Sequence, residues 1–272
     1  EMSASLVGSE MCIRDSYKTE ALLTVGGSEG IDVALRAMLD PGDEVIIPEP
    51  CYVSYVPCVQ LIGAVPVTIE LKNENQFRLT SEELLAAITD KTKILILAFP
   101  SNPTGAVMTK EDLEPIAKIC QEKDIYVISD EIYSELTYGG QKHCSISSLP
   151  GMKERTIVIN GFSKAYAMTG WRLGYALAPE VIAHQMTKIH QFAIMCAPTT
   201  SQYAAIEAIK NGDADIEKMC KSYDQRRRFL LKKFEEIGLP CFEPHGAFYV
   251  FPCIKEFGIT SDEFATRLLR EE

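Results

Sequence analysis

Hydrophobic positions along the chain follow two alternating patterns. Short, continuously apolar runs are EVIIP (44–48), VPVTIEL (65–71), KILILAF (93–99), IYVIS (125–129), TIVIN (156–160) and GYALA (174–178). Their length and β-branched content predict strands. Between most of them lie segments with apolar residues at helical spacing: SEGIDVALRAML (28–39), SEELLAAI (81–88) and TKEDLEPIAKICQEK (109–123). Strands that are apolar throughout and alternate with helices predict an α/β fold, a mainly parallel sheet with helices on both faces.

The pattern changes after GYALAPE. A helical stretch runs from about 180 to 211 and breaks near Pro198. DIEKMCKSYDQRRRFLLKKFEEIG follows, with Ile216, Met219, Tyr223, Leu230, Phe234 and Ile237 on one face, and Gly238 and Pro240 stop it. GAFYVFPCI is a strand candidate. The expected organisation is a large domain with connecting helices over 17–212 and part of a small α+β domain over 213–272. The last helix, SDEFATRLLREE, is expected to start at Ser261 with an imperfect capping box, since Phe264 stands where the acid should be. Residues 1–16 contain LVGSEMCIRDS, which resembles a translated sequencing adapter. They are set apart as non-native, and the chain is read as a fragment open at both ends.

Composition narrows the function classes. The 272 residues carry a net charge of −11, and the densest basic run, QRRRFLLKK, reads as a solvated helix face, so a nucleic-acid partner is not expected. No apolar stretch reaches the roughly 18 residues of a membrane span. Nine cysteines with no CxxC pair point to reduced thiols in a cytoplasmic protein. His143, His184, His190 and His245 lack metal-ligand spacing and read as structural or solvent-facing; no metal site is expected.

In an open parallel sheet, ligands bind beyond the carboxyl ends of the strands. KILILAF leads into PSNPTG and puts Asn102 in a turn. IYVIS leads into DEIY, with Asp130 at the exit and Tyr133 three residues on. TIVIN leads into GFSK, with Ser163 and Lys164. An amide, a carboxylate and an amine therefore share one edge. TVGGSEG joins a short β run to a helix, and its free N–H groups with Ser28 form an anion site. This set suits pyridoxal 5'-phosphate, which needs a lysine for its Schiff base and an acid for its ring nitrogen. Asn102 and Tyr133 suit the ring's phenolic oxygen, while Ser163 and Arg172 suit the phosphate.

SNPTG, SDEIYSELTY, GFSKAYAMTGWRLGY and PEPCYVSY together resemble the class I/II, fold-type I aminotransferases, in particular the bacterial aspartate and aromatic group. The resemblance covers nearly all of residues 20–272, with the motifs in the family's order. It implies a seven-stranded-type large-domain sheet, a homodimer, and amino-acid and 2-oxo-acid substrates. It implies Lys164 as Schiff-base lysine and proton shuttle, Asp130 on the pyridine nitrogen, and Asn102 and Tyr133 on the phenolic oxygen. Tyr52 is implied to stack on the ring. Ser28, Glu29 (through its backbone), Ser163 and Arg172 are implied at the phosphate. The family's N-terminal tyrosine and its C-terminal arginine for the substrate α-carboxylate are absent from the sequence, so this chain alone is expected not to turn over.

Each residue has a plainer reading when taken singly. SNPTG is a common turn, Gly-Gly before a helix opens it, Tyr52 and Tyr133 are core or interface aromatics, and Glu131 is an exposed carboxylate. GAFY (246–249) either lines the substrate side or packs in the core. Their conjunction at one sheet edge favours the cofactor site. A lyase or decarboxylase on the same scaffold, or a non-catalytic regulatory module, remains open. A nucleotide-binding domain is disfavoured by the absence of GxGxxG and GxxxxGK[ST].

Overall fold

The structure is a computed structural model and describes residues 17–271, so the adapter-like segment lies outside the described residues. A short helix, α1 (Tyr17–Glu20), leads into β1 (Ala21–Thr24) and α2 (Gly27–Met38). Then come β2 (Glu44–Glu49), α3 (Tyr55–Leu61), β3 (Val65–Glu70), α4 (Ser81–Ala87), β4 (Thr92–Ala98) and α5 (Lys110–Glu122). The sheet is completed by β5 (Tyr126–Asp130), β6 (Thr156–Gly161) and β7 (Gly174–Leu177). The seven strands lie in the order β1-β7-β6-β5-β4-β2-β3, and only β7 runs against the rest. The expected mainly parallel, seven-stranded α/β fold is therefore present.

The strands read as continuous apolar runs because both faces are covered. Ile46, Leu95, Leu97 and Val127 pack on one side against Leu84 of α4 and Leu113 and Ile116 of α5. Val45, Ile47, Ile94, Ile96, Ile128, Ile157 and Ile159 pack on the other against Ile31 and Leu35 of α2 and Met186. Alternate residues of one strand thus serve opposite layers. Helices α4 and α5 start at capping boxes, Thr80 with Glu83 and Thr109 with Asp112, which satisfy two of the free N–H groups at each N-terminus.

Beyond the sheet run α6 (Glu180–Ala193), α7 (Thr199–Asn211) and α8 (Asp213–Glu236). A two-stranded ribbon of β8 (Cys241–Phe242) and β9 (Phe251–Pro252) and a last helix, α9 (Ser261–Glu271), follow.

Five sequence expectations need correction. GAFYVFPCI is not a strand: only Phe251 and Pro252 pair in β9, and residues 246–249 form a turn seated on the large domain. Helix α3 was not anticipated: unlike the equally short α4 it starts without a side-chain cap, and it carries Pro57 in its first turn. Leu230 and Ile237 of α8 are exposed, while Arg227 is buried, held by Asp224, Glu243 and the Pro244 carbonyl, so QRRRFLLKK is not wholly a solvated face. The cap of α9 is Thr260, one residue earlier than expected: its hydroxyl accepts the Glu263 N–H at 3.2 Å, so the threonine-to-glutamate spacing is regular. Glu131 is not an exposed carboxylate; it is fully buried.

Candidate active site

The ends of β4, β5 and β6, the start of α2 and the 246–249 turn surround one cleft of about 240 Å³. Ser28, Tyr52, Asn102, Asp130, Tyr133, Ser163, Lys164 and Arg172 all line it, together with Tyr55 and Tyr249. The parallel register explains the convergence. Ala98, the last residue of β4, pairs with Asp130, and Asp130 pairs with Ile159, two residues before β6 ends. Side chains at or just past these positions share the carboxyl edge.

Asp130 is 8% exposed. Tyr55 donates its hydroxyl to Asp130 Oδ2 at 2.7 Å, and the Ile132 N–H donates to Oδ1 at 3.2 Å. Burial lifts the Asp130 carboxyl above its ordinary value, and these two donors together with the Lys164 charge oppose the lift. The cost of desolvating this acid is borne with an open side toward the cleft, which suits it to a cationic partner there. Tyr55, which sequence reasoning left without a role, is the residue that orients it. Tyr52 lies in the turn just before α3, whose first residue is Tyr55: the Tyr55 N–H donates to the Tyr52 carbonyl at 3.3 Å and the ring centroids are 5.7 Å apart.

At the opposite end, Gly26 is the N-cap of α2 and supplies no side-chain cap, so the helix's first N–H groups face the cleft. Gly26 has φ +82°, and a Cβ there would sit 2.5 Å from Arg172 Nη2. Gly174 of β7 is equally constrained, because a Cβ would lie 2.6 Å from the Gly26 carbonyl carbon and 2.7 Å from the Gly27 nitrogen. The final glycine of GWRLGY therefore exists to let the TVGGSEG turn lie flat on the sheet. Arg172 reaches this turn with Nη2 donating to the Val25 carbonyl at 3.5 Å, while Nη1 donates to the Thr169 carbonyl at 2.9 Å, and the residue remains exposed. Its fork and the helix N-terminus form an anion cradle, with Ser28 and the buried Ser163 beside it.

Glu29 does not line the cleft. Its carboxylate turns back to accept the Val25 N–H and to meet His190 Nδ1 at 2.8 Å, leaving only its backbone toward the cradle. The hydroxyls of Ser54 and Ser28 hold the Tyr52 phenol below its ordinary value despite partial burial. Tyr133 bonds to Tyr249 through a 2.8 Å hydroxyl contact, and burial with that neighbour pushes its phenol well up. Lys164 lies half-buried with its Nζ 5.4 Å from the Phe248 ring and 5.7 Å from the Tyr133 ring. This answers which reading of GAFY holds at its last two positions: Tyr249 lines the cleft and Phe248 flanks its lysine, whereas Ala247 is core. Among the described residues no group of His, Cys, Asp or Glu could hold a metal ion, and no helix is long and apolar enough to cross a membrane.

The sequence profile described as "Aminotransferase class I and II" matches residues 1–272. An aspartate aminotransferase of Pyrococcus abyssi is 47% identical over 254 residues, 93% of this chain and 65% of the relative. The aromatic-amino-acid aminotransferase 2 of Thermococcus litoralis is 45% identical over 256 residues, 93% of this chain and 66% of the relative. Among solved structures, an aromatic aminotransferase from Pyrococcus horikoshii superposes with a TM-score of 0.96 at 44% identity, covering 99% of this chain and 74% of that one. The chain spans about two thirds of the length of the curated relatives it matches, 65–66%.

Proposed function

The chain belongs to the class I and II aminotransferase family, and from that premise we propose that it carries the cofactor site of a pyridoxal-phosphate-dependent aminotransferase, moving an amino group between an amino acid and a 2-oxo acid. The observation that carries the reading is a buried, donor-braced carboxylate, Asp130, sharing one cleft with Lys164, the α2 N-terminus and Arg172. The donor set fits the cofactor group by group. The α2 N–H groups (Glu29's among them), Ser28, Ser163 and Arg172 would hold its phosphate, Asp130 its ring nitrogen, and Asn102 and Tyr133 its phenolic oxygen. Tyr52 would cover the ring face, and the cradle at Gly26 is space that any side chain would fill.

When bound, the cofactor supplies an electron sink for the electron pair left at the substrate Cα. The protein's part is positioning and proton transfer. Lys164 would hold the cofactor through its amine and, once that amine is free, would carry the substrate Cα proton. The Phe248 and Tyr133 rings beside its Nζ limit where the amine can swing. Asp130, braced by the Tyr55 hydroxyl, would face the ring nitrogen and hold its proton there.

Residues 17–212 form the cofactor-binding large domain in this reading and 213–272 part of the small one. The whole protein acts in the cytoplasm as a homodimer. Exposed Phe192, Met195 and Tyr203 around the α6–α7 junction support a partner subunit there. The relatives' names make aspartate and aromatic amino acids the first donors to test.

The test is spectroscopic, on a protein carrying this chain. Donor should bleach the visible absorbance of the cofactor-loaded protein, and 2-oxoglutarate should restore it. Release of carbon dioxide or an eliminated group, with no restoration by the oxo acid, would favour the lyase reading instead.

A further inference from the structure

Glu131 follows Asp130, so its side chain leaves the strand exit on the face away from the cleft. It is wholly buried there. Its Oε1 accepts the Ser129 hydroxyl at 2.8 Å and the Ser145 hydroxyl at 2.6 Å, and Ser145 in turn meets Ser147 at 2.6 Å. His143 Nε2 lies 2.9 Å from Oε2 without hydrogen-bond alignment, so that contact is chiefly Coulombic. A carboxylate this deep is retained only if paired. The pair joins the two ends of a loop, residues 131–145.

What the loop carries gives the pair its meaning. Tyr133 lines the cleft and contacts Tyr249. The Leu136 carbonyl accepts the Ala247 N–H at 2.9 Å, and the Tyr138 N–H donates to the His245 carbonyl at 2.8 Å. Thr137 bridges to Gly246, and the Tyr138 hydroxyl donates to the Ala247 carbonyl. The loop is thus the seat of the turn that brings Phe248 and Tyr249 to Lys164.

We propose that Glu131 and His143 are positioning residues, a buried ion pair that closes the 131–145 loop at its base and thereby holds Tyr133, Phe248 and Tyr249 against the cleft. The clamp concerns the fold; only its consequence for the cofactor rests on the aminotransferase reading.

The surrounding charges set its pH range. Asp130 and Glu135 are the acids that interact with the pair, and Cys144 and Tyr175, both held neutral by burial, also feel Glu131. Burial alone would lower His143, but Glu131 and Glu135 reverse this and lift it above its ordinary 6.5. Burial alone would raise Glu131, but His143 and the two serine hydroxyls hold it below its ordinary 4.5. The histidine's contribution is complete below 6.5 and is lost as pH rises through its raised folded value. The glutamate's contribution is complete above 4.5 and is lost as pH falls through its depressed one. Above the His143 transition, Glu131 keeps only its serine donors.

The experiment follows the four histidines by NMR from pH 5.5 to 9.5 and, in parallel, the exchange of the Tyr138 and Ala247 amides, corrected for intrinsic rates. His143 should titrate above 6.5, and protection at both amides should fall about tenfold across that titration. Glu131→Gln should move the His143 titration below its wild-type position and lower protection at pH 6.5. Glu131→Gln/His143→Gln, which keeps the hydrogen-bonding groups, should remove the pH inflection. Pyridoxal phosphate affinity, measured by absorbance titration, should fall with amide protection in each variant. A His143 titration at or below 6.5 in the wild type would overturn the clamp, as would amide protection indifferent to both substitutions. If protection tracks His143 while pyridoxal phosphate fails to bind, the clamp stands and the cofactor reading falls.

Discussion

The sheet edge and the C-terminal unit both face the cleft, but they are built to different standards. At the sheet edge, β4, β5 and β6 are buried almost throughout, and Asp130 is fixed by the backbone ladder, by Tyr55 and by the Ile132 N–H. In the C-terminal unit, α8 buries only Ile216 and Arg227 over 24 residues, and α9 buries none. Phe229, Phe257, Leu268 and Leu269 are all more than half exposed. Phe248 and Tyr249 are therefore held less by their own unit than by the large-domain loop they sit on. The groups that demand fixed geometry, Asp130 and Lys164, come from the rigid side. Phe248, which flanks Lys164, and Tyr249, which lines the cleft, come from the loosely packed side.

The comparison can be broken most decisively at Lys164. Lys164→Ala should abolish covalent capture of the cofactor and reduce transamination by more than about 10³-fold, since nucleophile and proton carrier are lost together. The stability of the cofactor-free fold should not change, because the lysine lies over the cleft rather than in the core. Substitution of Asp130 should separate function from stability. A carboxyl whose folded pKa is raised binds its proton more tightly when folded, so its ionisation withdraws stability as pH rises through that range. Asp130→Asn should raise the melting temperature of the cofactor-free protein at pH 7 while slowing Cα proton removal by about 10²–10³-fold. A less stable variant with a normal rate would show that the acid is structural.

On the loose side, Arg227→Ala should cost about 2 kcal/mol, as charge-assisted bonds to Glu243 and Asp224 and to the Pro244 carbonyl are lost. Denaturant titration reads this loss, and cofactor affinity should fall less than for any substitution at the sheet edge. The smallest and sharpest contrast lies between two threonine caps, each accepting the N–H three residues on. Thr109→Ala, at the start of the buried α5, should lower global stability by about 1 kcal/mol. Thr260→Ala, at the start of the exposed α9, should fray that helix, seen as faster amide exchange, with no shift of the global transition. Equal global losses would mean that the two regions unfold as one unit.

The same difference decides what could be read from the sequence. Strands β2 and β4 to β7 were legible to within a residue or two because both faces demand apolar side chains, which leaves little freedom in composition; the edge strand β3, buried only at Ile69, was legible from its β-branched residues. The convergence of Asn102, Asp130 and Lys164 was legible because parallel strands share one carboxyl edge. Glu131 was not, since a buried carboxylate looks like an exposed one until its partners, Ser145 and His143, are seen to fold back from more than ten residues away. Tyr55 was missed for a related reason: its partner Asp130 is 75 residues distant. Helix α8 misled because its apolar residues exceed what its neighbours cover, so periodicity pointed to Leu230 and Ile237 while packing chose Arg227.

The central claim is that Lys164 and the surrounding sheet edge form a pyridoxal phosphate site. Reduction with borohydride after incubation with pyridoxal phosphate, followed by peptide mapping, tests it most directly. The account predicts a single pyridoxyl group on the peptide containing Lys164, absent from Lys164→Ala. A label on another lysine, or labelling at Lys164 no heavier than at exposed lysines such as Lys118 and Lys221, would contradict it.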